Sequence, residues 1–359
     1  MHTTKDIMIR RQGNGNRPPT SKDVAALAGV SQSTVSFVIN GKNTVSEATR
    51  LRVQEAMRKL NYQPNAGART LKTNRTNTLA LFVEMNENID ANETTPYIDI
   101  VVTLAREHDY DVIINTTHEG TAALRRLAGK SICDAFILMD VRRDDERIPT
   151  ASDLNLPVVL IGRPDNAMGL DVVDFDARKA AQMAVDELAS TGHRHIAVIG
   201  NVMNQDSGRF RFVDDFFEGA RDQSEHHGLD FSVVTRIADG RKGMEATLPQ
   251  LLVNADDRLG IIVRQPRPTE WLFSTLTSHG VIPGKDVSLV SHCSDLDAKS
   301  FPRPVTNVST RPDELSALAM SMLFDRLAGD TKPARCQLIA PTGVTRRETT
   351  IDFTDQVLQ

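Results

Sequence analysis

The sequence has few of the features that mark secreted, membrane or thiolate-metal proteins. Its three cysteines, Cys133, Cys293 and Cys336, are far apart and form no C-x-x-C pair. This spacing argues against a disulfide framework and a zinc site, and it favours small buried side chains. No apolar run approaches the ~20 residues that cross a bilayer, and the N-terminus lacks a secretory apolar stretch. We therefore expect a cytoplasmic protein without a membrane partner.

Motifs for phosphate binding and catalysis are missing as well. The sequence has no GxxxxGK[ST] and no GxGxxG after a strand. Two histidine pairs stand out, His193/His195 and His226/His227. In GHRHIAVIG the spacing matches a loop that enters a strand, and no third ligand or carboxylate triad accompanies it. Structural histidines fit this pattern better than a metal site. The sequence therefore predicts no cofactor, no metal and no enzymatic activity.

Charge is distributed unevenly along the chain. Residues 1–75 carry 13 Lys+Arg and 4 Asp+Glu, a net charge of +9, whereas the rest of the chain has a net charge of −14. A basic segment neutralises nucleic-acid phosphates, while an acidic body limits non-specific binding to polyanions. With 359 residues, 40% of them hydrophobic, the chain is long enough for more than one domain. The basic first part is the candidate for DNA binding.

The stretch TSKDVAALAGVSQSTVSFVIN, residues 20–40, predicts two short helices joined by a tight turn. Thr20 with Asp23 three residues later is a helix start signal. Gly29 provides the left-handed backbone of the turn, and Ser31 caps the next helix. A third amphipathic helix, SEATRLRVQEAMRKL, starts at Ser46. The expected inward residues of the three helices are Val24, Leu27, Ala28, Val35, Val38, Leu51, Met57 and Leu60.

The order DVAALAGVS, STVSFVINGK, VSEATRLRVQEAMRKLNYQPNAGARTL closely resembles the DNA-binding head and hinge of the LacI/GalR (lactose/galactose repressor) family of transcriptional regulators. Two helices alone would fit an ordinary surface pair, but the match spans about fifty residues. The resemblance implies a helix-turn-helix head at 20–63 and a hinge at 64–75 that orders on DNA. We expect residues 1–19 to be a disordered basic arm.

The resemblance also implies which residues contact operator DNA. In the head these are Thr20, Ser31, Gln32, Ser33, Thr34, Ser36, Phe37 and Asn40. In the hinge they are Asn65, Ala68, Arg69 and Leu71, and Leu71 wedges into the minor groove. Phe37 replaces an arginine that is common in the family. A phenyl ring can contact a thymine methyl group but cannot pair with guanine, unless it packs inward instead.

From Thr78 onward, short apolar strands alternate with amphipathic segments, which predicts an α/β domain with parallel sheets. The connectors AREHDYDVIIN, ELASTGHRHIAVIG and HGVIPGKDVSLVS resemble the two-lobed effector domain of the same family, which is similar to type I periplasmic sugar-binding proteins. The resemblance implies a domain at 76–352, followed by a tail at 353–359. Its lobes would be 76–175 with 308–330 and 176–307 with 331–352. No heptad repeat follows Thr350, so a homodimer is expected.

Positions that hold ligand-binding charges in sugar-responsive relatives are changed in this chain. Phe216 replaces an arginine, residues 264–266 replace an A-N-D motif, and residues 291–294 replace G-F/Y-D-D. Their joint loss argues against a free monosaccharide bound in the usual way, although Arg209 and Arg211 could substitute. The candidate lining of the cleft is Glu84, Arg163, Phe216, Arg264 and Gln265. The alternative is a degenerate pocket in a regulator that answers to a protein partner or to nothing.

Overall fold

The structure, a computed structural model, describes residues 17–39, 45–63, 75–85, 91–116, 119–200, 210–234 and 240–354, with only the backbone of 91–92 and 254–256. The chain divides into two compact units, Met1–Thr76 and Asn77–Gln359. Most of the expected arm, hinge and tail lie outside the described residues. So do five of the expected DNA-contact residues, namely Asn40, Asn65, Ala68, Arg69 and Leu71.

Three helices form the described part of the first unit: α1 (Ser21–Ala28), α2 (Gln32–Ile39) and α3 (Glu47–Lys59). The carboxylate of Asp23 accepts hydrogen bonds from the backbone N–H and the hydroxyl of Thr20, at 2.8 and 2.7 Å, which closes the start of α1. Gly29 has φ of 64° and ends the helix. The hydroxyl of Ser31 accepts from the backbone N–H of Thr34 at 3.1 Å and caps α2. The expected helix-turn-helix is confirmed.

The core of this unit is made of small side chains: Val24, Ala25, Ala28, Val35, Val53 and Ala56. The prediction that Leu27 and Leu51 face inward was wrong, because 51% and 58% of their surfaces are exposed. Successive helical residues are turned by about 100°. The buried arc of α1 is therefore centred on Ala25 and Ala28, and Leu27 falls beyond its edge.

Twelve strands make up the two sheets of the second unit. They are β1 (Thr78–Phe82), β2 (Asp111–Asn115), β3 (Ala135–Leu138), β4 (Val158–Ile161), β5 (Asp171–Phe175), β6 (His195–Ile199), β7 (Asp230–Val234), β8 (Leu259–Val263), β9 (Ser288–His292), β10 (Thr306–Val308), β11 (Cys336–Ile339) and β12 (Val344–Thr345). The first sheet has the order β11-β5-β4-β3-β1-β2 and the second β12-β10-β9-β8-β6-β7. Among these strands only the β10/β12 pair is antiparallel, so the predicted parallel sheets are confirmed.

Each sheet carries its own helices, and we call the two layered bodies the first and the second lobe. The helices of the first lobe are α4 (Ala91–Glu107), α5 (Thr121–Gly129), α6 (Arg147–Ser152) and α12 (Pro312–Leu327). Those of the second are α7 (Ala177–Ser190), α8 (Arg211–His226), α9 (Arg241–Leu251), α10 (Pro266–Ser278) and α11 (Asp295–Ser300). Helix α12 packs on α4, β4 and β5, whereas α7 packs on α8.

The expected boundary of the lobes at residue 331 differs from the observed pairing. Strand β11 lies in the segment 331–352, which was assigned to the second lobe, but it pairs with β5 in the first sheet. The reason is Asp171, a fully buried carboxylate that accepts hydrogen bonds from Arg326 at 2.7 and 2.9 Å and from the backbone N–H of Arg335 at 2.8 Å. These bonds hold the chain at the first sheet, and it reaches the second sheet at β12.

The cysteines are placed only partly as expected. Cys133 and Cys293 are buried, and burial raises their thiol pKa values to about 11 and about 12. Cys336 is exposed on β11, which corrects the prediction of three buried thiols. Within the described ranges, no three His, Cys, Asp or Glu side chains are grouped so as to hold a metal ion. In the same ranges, no helix is both long and apolar enough to cross a membrane.

Candidate functional site

Most of the predicted DNA-contact residues that the structure describes lie on α2, while Ser31 caps this helix and Thr20 lies at the start of α1. Gln32 and Ser33 are exposed at the first turn of α2, and the Gln32 amide donates to the hydroxyl of Ser21 at 2.8 Å. The side chain of Phe37 is 36% exposed, so its ring lies at the edge of the helical core. Val35, in contrast, is fully buried. Polar and aromatic side chains therefore stand on the outer face of α2, while the inner face holds the helix in place.

A second candidate site is a cavity of about 140 Å³ between the two lobes. It lies where parallel strands of both sheets end, which is the usual place for ligands in open α/β sheets. Its polar and aromatic lining includes Glu93, Tyr97, Asp140, Asp174, Phe175, Phe210, Phe212, Phe216, Arg264, Gln265 and His292. Neither lobe forms this cavity alone.

Aromatic rings form much of the wall. The imidazole of His292 lies 5.3 Å from the ring of Phe175 in the first lobe and 5.3 Å from the ring of Phe216 in the second. Phe212 and Phe216 are one helical turn apart on α8, so both point to the cavity. Phe210 precedes α8, and its ring lies 5.5 Å from that of Phe212. Such rings bind the apolar faces of a ligand.

The first lobe contributes three carboxylates to the cavity, Glu93, Asp140 and Asp174, and backbone N–H groups hold the last two. Asp140 follows β3 and accepts from the backbone N–H of Glu84 at 2.8 Å. Asp174, in β5, accepts from the backbone N–H groups of Arg163 and Phe175 at 3.0 and 2.8 Å. Burial raises the pKa of both carboxyl groups to about 6, and for Asp140 the charge of Glu84 adds to this effect. Both are strong acceptors for a ligand that supplies hydroxyl or N–H donors.

The second lobe brings polar atoms that have no partner. The Arg264 Nε, the Gln265 Oε1 and both ring nitrogens of His292 are buried without a hydrogen bond of ordinary geometry. Burial lowers the pKa of His292 to about 3, the charge of Arg264 lowers it further, and the nearby Arg264 backbone acts the other way. Burial also lowers the pKa of the Arg264 guanidinium. Because a buried polar group without a partner costs about 1–3 kcal/mol, a ligand that pairs with these atoms gains affinity.

Three of the five predicted cleft residues line the cavity, namely Phe216, Arg264 and Gln265. Glu84 and Arg163 do not. Glu84 pairs with Arg142 beside a second, polar cavity, and the Arg163 guanidinium pairs with Asp215 at 2.6 Å. Of the two possible substitutes, Arg211 pairs with Asp165 at the rim, and Arg209 lies outside the described residues.

Sequence reasoning missed most of the acceptors. Glu93, Asp140, Asp174 and His292 come from four separate segments, and their convergence depends on the order of strands in each sheet. One signal was available, because Asp140 directly follows the strand region AFILM and His292 ends the strand SLVSH. Residues at the carboxyl ends of parallel strands are candidates for ligand contact.

Family models match both parts of the chain that carry the candidate sites. A family model described as bacterial regulatory proteins, lacI family, matches residues 20–65. A model for periplasmic binding proteins and the sugar binding domain of that family matches residues 91–254, and a periplasmic binding protein-like model matches residues 185–350. These matches cover the helical head and both lobes.

Whole-chain relatives include the HTH-type transcriptional regulator CelR of Thermobifida fusca, which is 32% identical over 90% of this chain and 96% of its own. The ribose operon repressor of Escherichia coli (strain K12) is 27% identical over 87% and 94%. Among solved structures, a CelR–cellobiose complex is 26% identical with a TM-score of 0.62, covering 92% of this chain and 100% of that one. A lac repressor dimer bound to operator and the anti-inducer ONPF shares the fold, with 19% identity, a TM-score of 0.76 and coverage of 93% and 100%.

Proposed function

The chain belongs to the LacI family and is a DNA-binding transcriptional regulator; from this premise we propose that it is a homodimeric repressor whose affinity for a palindromic operator is set by a small molecule in the cavity between the lobes. Control by a small molecule is supported by the cavity, where four buried polar atoms of Arg264, Gln265 and His292 lack hydrogen-bond partners. We place its action in the cytoplasm, where the operator is.

In this proposal α2 is the recognition helix. Ser33, Thr34 and Phe37 lie on its outer side and face the major groove, and Gln32 reaches the same groove from the first turn. The excess of Lys and Arg side chains in residues 1–75 supplies the phosphate contacts that position the head. Sequence preference then depends on few side chains, so single substitutions on α2 change the preferred operator.

The homodimer is supported by an edge of the first sheet. Strand β2 is the last strand in that sheet, and it exposes Ile113 and Ile114 by 36% and 42%. An exposed apolar edge strand favours association with another chain. A second copy that covers this edge would give an assembly with two heads, which fits the two half-sites of a palindromic operator. Sedimentation of Ile114→Lys should give a lighter species than the unchanged chain.

We propose that the effector is a ring compound with several hydroxyl groups, held in an unconventional way. The family's usual charged positions are replaced, and the carboxylates of Glu93, Asp140 and Asp174 are the acceptors instead. The aromatic rings would cover the apolar faces of such a ligand. The cellobiose in the CelR complex is a compound of this kind, which supports the class without fixing the compound.

Calorimetric titration of the full chain tests the effector class. The probes are cellobiose, ribose, a nucleoside and a phosphorylated sugar. A neutral sugar that binds the unchanged chain should bind Asp174→Ala and Phe216→Ala at least tenfold more weakly. If no probe binds and no probe changes operator affinity, the cavity has lost effector binding. The regulator is then controlled by a protein partner or is constitutive.

A further inference from the structure

Ion pairs cross the rim of the cleft beside the cavity. In the first lobe, the loop after β3 carries Arg143 and the loop after β4 carries Arg163 and Asp165. In the second lobe, the first turns of α8 carry Arg211, Asp214 and Asp215. Arg143 pairs with Asp214 at 3.2 Å, Arg163 pairs with Asp215 at 2.6 Å, and Arg211 pairs with Asp165. We call these three contacts the rim pairs.

Two of the rim pairs are connected with each other, and the third is connected with the cavity wall. Arg143 also contacts Asp165 at 3.1 Å, so Asp214, Arg143, Asp165 and Arg211 form one chain of alternating charge across the cleft. Both lobes contribute charges of both signs. Opening the cleft would separate all three pairs at once, because every pair has one member in each lobe.

Arg163 connects the rim most directly with the ligand cavity. Its backbone N–H donates to the cavity carboxylate Asp174 at 3.0 Å, while its guanidinium binds Asp215 of the other lobe. The preceding Gly162 has φ of 116° and lies against Val141, where a side chain would crowd the neighbouring strand end. This turn, which favours glycine, fixes the backbone from which Arg163 extends. The position of Asp174 and the pairing of Arg163 therefore depend on the same peptide.

From this arrangement we propose that the rim pairs are an electrostatic latch, in which Arg163 and Asp215 are positioning residues that hold the two lobes closed over the cavity. The members of the pairs are partly exposed, with Arg163 at 32% and Asp215 at 19%. Partly exposed pairs contribute little one by one. Together, the three pairs bias the lobes toward closure and still allow them to separate.

The latch itself does not depend on the proposed function, but its effect on ligand affinity does. A ligand enclosed by both lobes binds the closed arrangement better than the open one, so a latch that populates the closed arrangement raises ligand affinity without contacting the ligand. Salt in the solution would weaken the latch, because ions screen partly exposed charges.

The test measures the distance between the lobes in the full chain, with neither ligand nor DNA. Spin labels are attached to cysteines placed at the exposed positions Glu107 on α4 and Glu245 on α9, in a chain carrying Cys336→Ser. Labelled chains are mixed with an excess of unlabelled chains so that distances within one chain dominate. Pulsed electron–electron double resonance then gives the distance distribution.

We expect Arg163→Asp to shift the ratio of closed to open chains about two- to fivefold toward open, which corresponds to the energy of one partly exposed ion pair. Adding Asp215→Arg to this variant should restore the distribution. Raising KCl from 0.05 to 1 M should shift the unchanged chain in the same direction. Arg178→Asp is the matched control, because Arg178 pairs with Glu218 and Asp222 at 2.5 Å inside the second lobe. It should leave the distribution unchanged.

An unchanged distribution in Arg163→Asp, or a double variant that stays open, would overturn the latch. If Arg163→Asp lacks a cooperative thermal transition, the neutral variants Arg163→Gln and Asp215→Asn replace it. Each should shift the distribution toward open, and an unchanged distribution in both would overturn the latch. Because the experiment contains no effector and no operator, a negative result removes the latch and leaves the proposed regulator function standing.

Discussion

The side-chain amide of Gln265, in the second lobe, donates a hydrogen bond to the carboxylate of Glu93, in the first lobe, at 3.0 Å. This contact lies in the cavity wall and joins α4 to the segment after β8. It shows that the candidate effector site is shared between the lobes, so its affinity for a ligand depends on how the lobes are arranged. In a two-state regulator, such a dependence couples ligand binding to DNA binding.

Asp140→Asn should stabilise the protein in a pH-dependent way. The folded-state pKa of this carboxyl is raised from 3.8 to about 6, chiefly by burial, so its ionisation disfavours the folded state as pH rises through this range. An asparagine oxygen can still accept from the Glu84 N–H. We expect the variant to gain on the order of 1–3 kcal/mol at pH 7.5 and nothing at pH 4. Urea unfolding at several pH values measures this, and a gain independent of pH would refute the assignment.

His292→Phe should make the protein more resistant to acid. The folded-state pKa of His292 is lowered from 6.5 to about 3, so the neutral ring favours folding above pH 6.5 and this contribution is lost as pH falls toward 3. A phenyl ring keeps the contacts with Phe175 and Phe216 and leaves no unpaired nitrogen. The free energy of unfolding should rise by about 1–2 kcal/mol at pH 7 and by more at pH 5. A difference that shrinks at pH 5 would contradict this interpretation.

Asp171→Ala should destabilise the first lobe strongly. Its buried carboxylate binds Arg326 and the backbone of Arg335, and removing it leaves buried donors without a partner. Breaking such a pair costs on the order of 3–5 kcal/mol. Asp111→Ala is the control, since Asp111 pairs with Arg106 at 2.7 Å on the surface and should cost less than about 1 kcal/mol. Equal losses in chemical denaturation would show that Asp171 is not the anchor of β11.

Phe37→Arg should change the preferred operator. An outward arginine on α2 can bind guanine O6 and N7, which is worth ~1–3 kcal/mol of discrimination. If Phe37 packs inward instead, the variant should lower the thermal stability of the head by burying a charge. Binding-site selection on both proteins, with unfolding curves as the control, separates the two outcomes. Identical preferred sequences in two equally stable proteins would refute the groove-facing assignment.

The sequence was informative where local pattern determines structure. The alternation of apolar strands and helices gave the parallel sheets, and Thr20, Gly29 and Ser31 gave the turn of the head. The prediction that Leu27 faces inward failed because helical spacing defines the apolar face of a helix. It does not tell which side of that face the neighbouring helix covers. The lobe assignment of β11 failed because it depends on Asp171, more than 150 residues away, and its arginine partners.

The candidate site was predictable only in part for the same reason. Motif positions identified Phe216, Arg264 and Gln265, since each follows a recognisable segment of the family pattern. Asp140, Asp174 and Glu93 became visible as acceptors only when the strand order brought their segments together. Arg163 was expected in the cleft and instead pairs with Asp215 at its rim, because a long side chain reaches the other lobe rather than the cavity.

The most direct test of the account is a titration of the full chain against operator DNA obtained by binding-site selection, followed by fluorescence anisotropy at several KCl concentrations. The account predicts a palindromic duplex bound at least ~1,000-fold more tightly than a scrambled one, a steep decrease of log affinity with log salt, and much weaker binding to a single half-site. Equal affinity for scrambled and selected duplexes, or a slope near zero, would contradict sequence-specific regulation by this protein.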